Sequence, residues 1–123
     1  MVKAQTYELV EIREDFAPIE SWLELAHRME AAKMPFRALA ELVRAFEHGV
    51  AKHGAGNWTD YRMMAGSPTV GTLGQHELKS KATRHFAEVV RSGWSATDEE
   101  SGVLHAAKEA ANMLIGAELW GGK

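Results

Sequence analysis

The chain contains no cysteine and fewer basic than acidic residues, and each shortage excludes a class of protein. Without thiols it is not a disulfide scaffold, a zinc ribbon or a thiol-dependent enzyme. With 14 Lys+Arg against 17 Asp+Glu, the formal net charge is -3. That argues against a nucleic-acid polymer as partner, because neutralising a phosphate backbone takes a surplus of cations. No uncharged apolar run is long enough to cross a bilayer, so no membrane partner is expected. The opening M-V-K-A-Q-T-Y-E lacks the apolar stretch of a signal peptide, and a cytoplasmic location is expected. The phosphate-cradling loop G-x-x-x-x-G-K-[ST] is missing, as are H-E-x-x-H and any adjacent His-Asp pair.

What is present is a helical pattern. The 123 residues suit one domain, of which folding buries roughly two-thirds of the extended surface. In residues 1–17, Tyr7 and Leu9 alternate with Glu8, but Val10 and Ile12 fall on the other parity. We read this stretch as an N-terminal arm or short strand preceding one all-α domain over 18–123. Pro18 suits a first helical turn, and Ser21-Trp22-Leu23-Glu24 is a capping-box pattern. Ile19, Trp22, Leu23, Ala26 and Met29 then recur at helical spacing to about Lys33. Pro35 opens a second helix whose Leu39, Leu42, Val43, Phe46 and Val50 form one apolar face; it should stop at His53-Gly54. A third helix is expected from about Gln75 to Ser92, with Leu78, Ala82, Phe86, Val89 and Val90 inward and Gly93 ending it. The fourth should start after Thr97-Asp98-Glu99-Glu100, a second capping-box pattern, and reach about Trp120. It is apolar over more than half its circumference, as for a helix central in its bundle, and its alanines permit close approach. The expected fold is an all-α bundle of about four helices.

Several polar features interrupt this pattern. Between the second and third helices, Gly54 to Gly74 holds 5 of the 11 glycines, and a loop of that length is usually functional or disordered. Its Asn57, Trp58, Tyr61 and Arg62 are hydrogen-bonding and stacking residues, suited to binding, although Trp58 can equally be tucked into the core. On the second helix Glu41, His48 and Lys52 form a narrow stripe opposite the apolar face: a solvated surface, or the lining of a cleft or subunit boundary. On the fourth, His105, Glu109 and Asn112 share one face, either as an internal network, as the solvent side, or as the wall of a site. His85 lies at the edge of the third helix's apolar arc, as a satisfied core histidine or a functional one. Asp98, Glu99 and Glu100 can serve magnesium through oxygen, or a helix dipole.

Three segments together resemble a known family. They are G-V-A-K-H-G-A-G-N-W (Gly49 to Trp58), R-H-F (Arg84 to Phe86) and E-S-G-V-L-H-A-A-K-E-A-A-N (Glu100 to Asn112). They are similar, in order and approximate spacing, to the small phage and bacterial dATP/dGTP diphosphohydrolase-like domain over about Pro35 to Trp120. That resemblance implies an all-α fold, a nucleotide ligand and, for a phage-encoded chain, the host cytoplasm. It carries a role onto Lys52, Asn57, Trp58, Arg84, His85, His105 and Asn112. Two positions depart from the pattern: Lys108 stands where the family has a second His, and His53 replaces a Tyr. The paired E-x-x-E and E-x-x-D motifs of all-α pyrophosphohydrolases are incomplete, Glu109-Ala-Ala-Asn112 being the nearest analogue.

Residue chemistry is compatible with the same ligand. Lys52 and Arg84 can neutralise phosphates, Trp58 can stack on a base, and Asn57 or Asn112 can meet a base edge or a ribose. His85, His105 and Glu109 are the candidate catalytic groups, Glu109 orienting the His105 ring. The leading expectation is cleavage of a purine deoxynucleoside triphosphate to monophosphate and pyrophosphate with magnesium. A non-catalytic protein that sequesters a nucleotide or nucleotide signal, as in phage counter-defence, is the alternative. A helical assembly protein whose polar stripes make subunit contacts is a third. A small bundle short of ligands suits completion by a second copy, so a homo-oligomer is expected.

Overall fold

A computed structural model describes residues 18–63 and 72–122. The expected arm over 1–17 and part of the Gly-rich loop lie outside the described residues. The chain forms two compact units, Met1–Met34 and Pro35–Lys123.

Within the first unit, α1 spans Trp22–Ala31, and the expected cap is present: Ser21 is extended and its Oγ accepts from the Glu24 N–H at 3.1 Å. Pro18 precedes the helix rather than occupying its first turn. The helix ends short of the expected Lys33, which adopts a left-handed φ of 51° as the Lys33 and Met34 amides turn back to Glu30 and Met29.

The second unit contains α2 (Phe36–His53), a 3₁₀ helix (Asn57–Met63), α3 (Thr72–Ser92) and α4 (His105–Trp120). The described residues are thus all-α, as expected, and α4 packs against α2, α3 and the 3₁₀ helix. Gly54 and Gly93, each at φ 95°, end α2 and α3 where the sequence places the breaks. The Gly-rich segment is less irregular than expected, since Asn57–Met63 coils into the 3₁₀ helix and α3 begins at Thr72 rather than Gln75. Gly74 explains how α3 lies so close to that helix: a Cβ there would overlap the Tyr61 carbonyl.

The core faces are rotated from those that hydrophobicity suggests. On α2 the buried residue is Ala45, flanked by the partly buried Leu42 and Phe46, whereas Val43 and Val50 are 56% and 49% exposed. On α3 the shift is partial: Leu78, Ala82 and Val89 point inward as expected and His85 joins them, whereas Phe86 and Val90, also expected inward, are 51% and 71% exposed. On α4 Ala107 and Ala111 meet Ala45 and Val103, while Met113 and Leu114 remain exposed. Small side chains hold these centres because helices carrying alanine can approach closely, which turns the larger residues outward.

The start of α4 is a second correction. Thr97-Asp98-Glu99-Glu100 caps no helix; it forms a tight turn. The Asp98 carboxylate accepts from the Ser101 amide (3.1 Å) and hydroxyl (2.8 Å), Gly102 takes φ 71°, and the Asp98 amide bonds the Val103 carbonyl. This local bonding competes successfully with helix formation. The first turn of α4 is approached instead from α2, where Glu41 Oε2 accepts from the Leu104 amide at 3.3 Å.

Candidate functional site

A cavity of about 490 Å³ opens within the second unit, walled by α2, the 3₁₀ helix, α3, the Asp98 turn and α4. Its wall carries four fixed cations, Lys52, Lys81, Arg84 and Lys108, against two carboxylates, Asp98 and Glu100. A chain of net charge -3 therefore concentrates positive charge at this one hollow.

Each cation has a defined setting. Lys52, on the last turn of α2, pairs with Glu100 Oε1 at 2.6 Å. That contact, and then the remaining charge of Lys52, holds the Glu100 carboxyl below its ordinary range. His48, one turn earlier, points Nε2 at the same carboxylate from 3.8 Å, too far for a hydrogen bond, and that buried nitrogen has no hydrogen-bond partner among the described residues. Lys81 donates to the Tyr61 hydroxyl at 2.7 Å, tying α3 to the 3₁₀ helix. Lys108 reaches Asp98 Oδ2 at 3.2 Å. Arg84 has no ion pair or hydrogen bond among the described residues and faces the cavity with its donors uncommitted.

One corner of the cavity is built differently. His85 Nδ1 and His105 Nδ1 are 2.8 Å apart, with ring centroids 5.1 Å apart and tilted by 36°. One nitrogen must donate and the other accept, so the two rings hold opposite tautomers at Nδ1. Burial, then the neighbouring His105 and Lys108, lowers the His85 pKa and favours its neutral form. Asp98 lies beside them: partial burial pushes its carboxyl up, but the Ser101 hydroxyl and Lys108 outweigh this and bring it down to about 2. His85, Asp98 and His105 can together hold a metal ion, each offering one ligand atom, all within 4.8 Å of one another.

The residues singled out in the sequence are largely brought together. Lys52, Asn57, Trp58, Arg84, His85 and Asn112 all line the cavity, and His105 reaches it through His85. Glu109 does not line it, and no hydrogen bond or ion pair joins it to His105 among the described residues; His105 turns to His85 instead. Asn112 spends its NH2 group on the Lys108 carbonyl (2.9 Å) and Asn57 spends its own on Asp60 (3.2 Å), so both amides can turn acceptor oxygens to a ligand. The Glu41/His48/Lys52 stripe is divided: His48 and Lys52 line the cavity, while Glu41 braces α4. Sequence reasoning overlooked Lys81, although its spacing of three and four residues from Arg84 and His85 places all three on one helix face.

The unit is thus an all-α domain with a basic, aromatic-edged hollow and a histidine-rich corner. The sequence model of a family described as dATP/dGTP diphosphohydrolase, N-terminal, matches residues 24–121, and the chain belongs to that family. No curated protein and no solved structure matches the chain.

Proposed function

We propose that the cavity binds a purine deoxynucleoside triphosphate and that the protein cleaves it between the α and β phosphates, releasing monophosphate and pyrophosphate. The observation that carries this reading is the excess of fixed cations, four against two carboxylates, around a hollow also walled by Trp58 and Tyr61. Arg84 offers the phosphates a fork of donors, with Lys52 and Lys108 as point charges able to leave their carboxylates for a stronger anion. Trp58 supplies a face for the base, and the Asn57 and Asn112 oxygens accept from its edge or from the sugar. In hydrolysis a water oxygen bonds to the α phosphorus, the α–β bridging oxygen leaves with pyrophosphate, and the water's proton must be taken up. The His85–His105 corner is the group suited to receive it.

Magnesium prefers oxygen ligands in octahedral array, which the His85/Asp98/His105 trio does not offer. It fits better as a partner of the substrate's own phosphates, and we assign no step to it. The test is incubation with each deoxynucleoside triphosphate and magnesium, followed by chromatography. Monophosphate and pyrophosphate from the purine nucleotides are expected; intact nucleotide throughout would reject catalysis.

One observation favours sequestration without turnover. Both carboxylates of the cavity are paired with lysines, so their negative charge is already offset and does little to gather magnesium around a triphosphate. That reading requires tight nucleotide binding and unchanged ligand after long incubation.

A further inference from the structure

The histidine corner has the geometry of a metal site in its own right. Two imidazole nitrogens of the same kind face one another at 2.8 Å, one from α3 and one from the first residue of α4. Neighbouring nitrogen ligands on a cation at roughly 2.1 Å would lie about 3.0–3.4 Å apart, so an opening of a few tenths of an ångström converts the pair into two ligands. Asp98 approaches from a third support, the turn before α4, and one of its carboxylate oxygens lies within 4.8 Å of a ring nitrogen of each histidine.

That carboxylate is held as metal-binding carboxylates are. The Ser101 amide, the Ser101 hydroxyl and the Lys108 ammonium all contact Oδ2, and no hydrogen bond to Oδ1 occurs among the described residues. One oxygen is thereby fixed by a surrounding shell while the other stays available. His85 is buried in the stripe formed by Leu78, Ala82 and Val89, which limits its ring to few positions.

We propose that His85, Asp98 and His105 hold one first-row transition-metal dication through the two imidazole Nδ1 atoms and Asp98 Oδ1. Two imidazoles and one carboxylate suit manganese, iron, cobalt, nickel or zinc and disfavour magnesium and calcium, which select oxygen. Three protein ligands leave coordination positions open, and since His85 and Asp98 line the cavity those positions are accessible from it. Lys108 opposes the ion: its ammonium sits 3.2 Å from Asp98 Oδ2 and repels a second cation there. The site therefore has a built-in electrostatic restraint on its affinity.

The proposal does not depend on nucleotide cleavage and is tested without nucleotide. The full chain, stripped with a chelator, is titrated with cobalt(II), zinc(II) and magnesium(II) by calorimetry, and the cobalt form is read by visible absorption. One cobalt or zinc per chain, with a ligand-field band and no uptake of magnesium, is expected. His85→Ala and His105→Ala should abolish uptake, circular dichroism confirming that each variant stays helical. Lys108→Gln should bind cobalt severalfold more tightly, a gain that misfolding cannot produce. Failure of cobalt and zinc to bind, binding unchanged in both histidine variants, or magnesium binding equal to cobalt would each overturn the proposal. None of these results bears on nucleotide affinity measured in chelator.

Discussion

Replacing glycine by alanine should have opposite signs at different helical sites in this protein, and the sign at Gly74 tests the packing of the cavity. In a helix interior, alanine is favoured over glycine by about 0.5–1 kcal/mol because the glycine backbone loses more entropy on folding. At Gly49 in α2 a new Cβ meets nothing within 4 Å, and at Gly116 in α4 it lies 3.9 Å from Leu78, an ordinary contact. Both substitutions should stabilise the protein by about that amount. At Gly74 the new methyl would overlap the Tyr61 carbonyl, and backbone on both sides leaves no flexible side chain to give way. Overpacking costs typically about 1–3 kcal/mol, here toward the upper end, so after the helix gain a net loss of about 2 kcal/mol is expected. For a chain of this length that lowers Tm by about 6–10 °C, whereas Gly49→Ala and Gly116→Ala raise it by about 2–5 °C. Thermal melts followed by circular dichroism measure all three. Gly74→Ala should also weaken nucleotide binding, because separating α3 from the 3₁₀ helix moves Lys81 away from Tyr61. Stabilisation by Gly74→Ala comparable to that at Gly49 would refute the close approach, and with it the placement of the Tyr61 wall.

Other consequences follow from individual side chains. Arg84→Gln and Lys52→Gln should each raise the Kd for a nucleotide by about 10–100-fold, the worth of one charge-assisted hydrogen bond, measured by calorimetry. Glu100→Gln, which releases Lys52 from its 2.6 Å ion pair, should instead tighten binding, and weaker binding would count against Lys52 as a phosphate ligand. Trp58→Ala should cost about tenfold or more in affinity if the ring stacks on a base, and should quench any ligand-induced change in tryptophan fluorescence. Glu41→Gln should lower Tm at neutral pH, with exposed Glu47→Gln as the unaffected control. The Arg44 guanidinium, and then the Leu104 amide, hold the Glu41 carboxyl below its ordinary 4.5. A pKa lowered on folding contributes stability that is complete above 4.5 and is lost as pH falls further, so the gap between wild type and Glu41→Gln should close in acid.

The sequence by itself determined where most helices begin and end. Ser21 caps α1, Pro35 precedes α2, and Gly54 and Gly93 take the positive φ that stops α2 and α3; these signals are local and act through the backbone of their own turn. It also determined the chemical character of the hollow, because Lys52, Asn57, Trp58, Arg84, His85 and Asn112 stand out as polar or stacking residues in or beside apolar patterns. Only tertiary structure decided which helical faces are inside. Hydrophobicity favoured Val43, Val50, Phe86 and Val90, which are exposed; Ala82 and the α4 alanines are inside as the sequence suggested, but the face of α2 that meets Ala107 and Ala111 is the one carrying Ala45. It likewise decided that Asp98 organises a turn beside two histidines rather than capping α4, and that His105 faces His85 rather than Glu109. Those choices join residues far apart in the chain, and no periodicity within a single helix encodes which neighbour it will pack against.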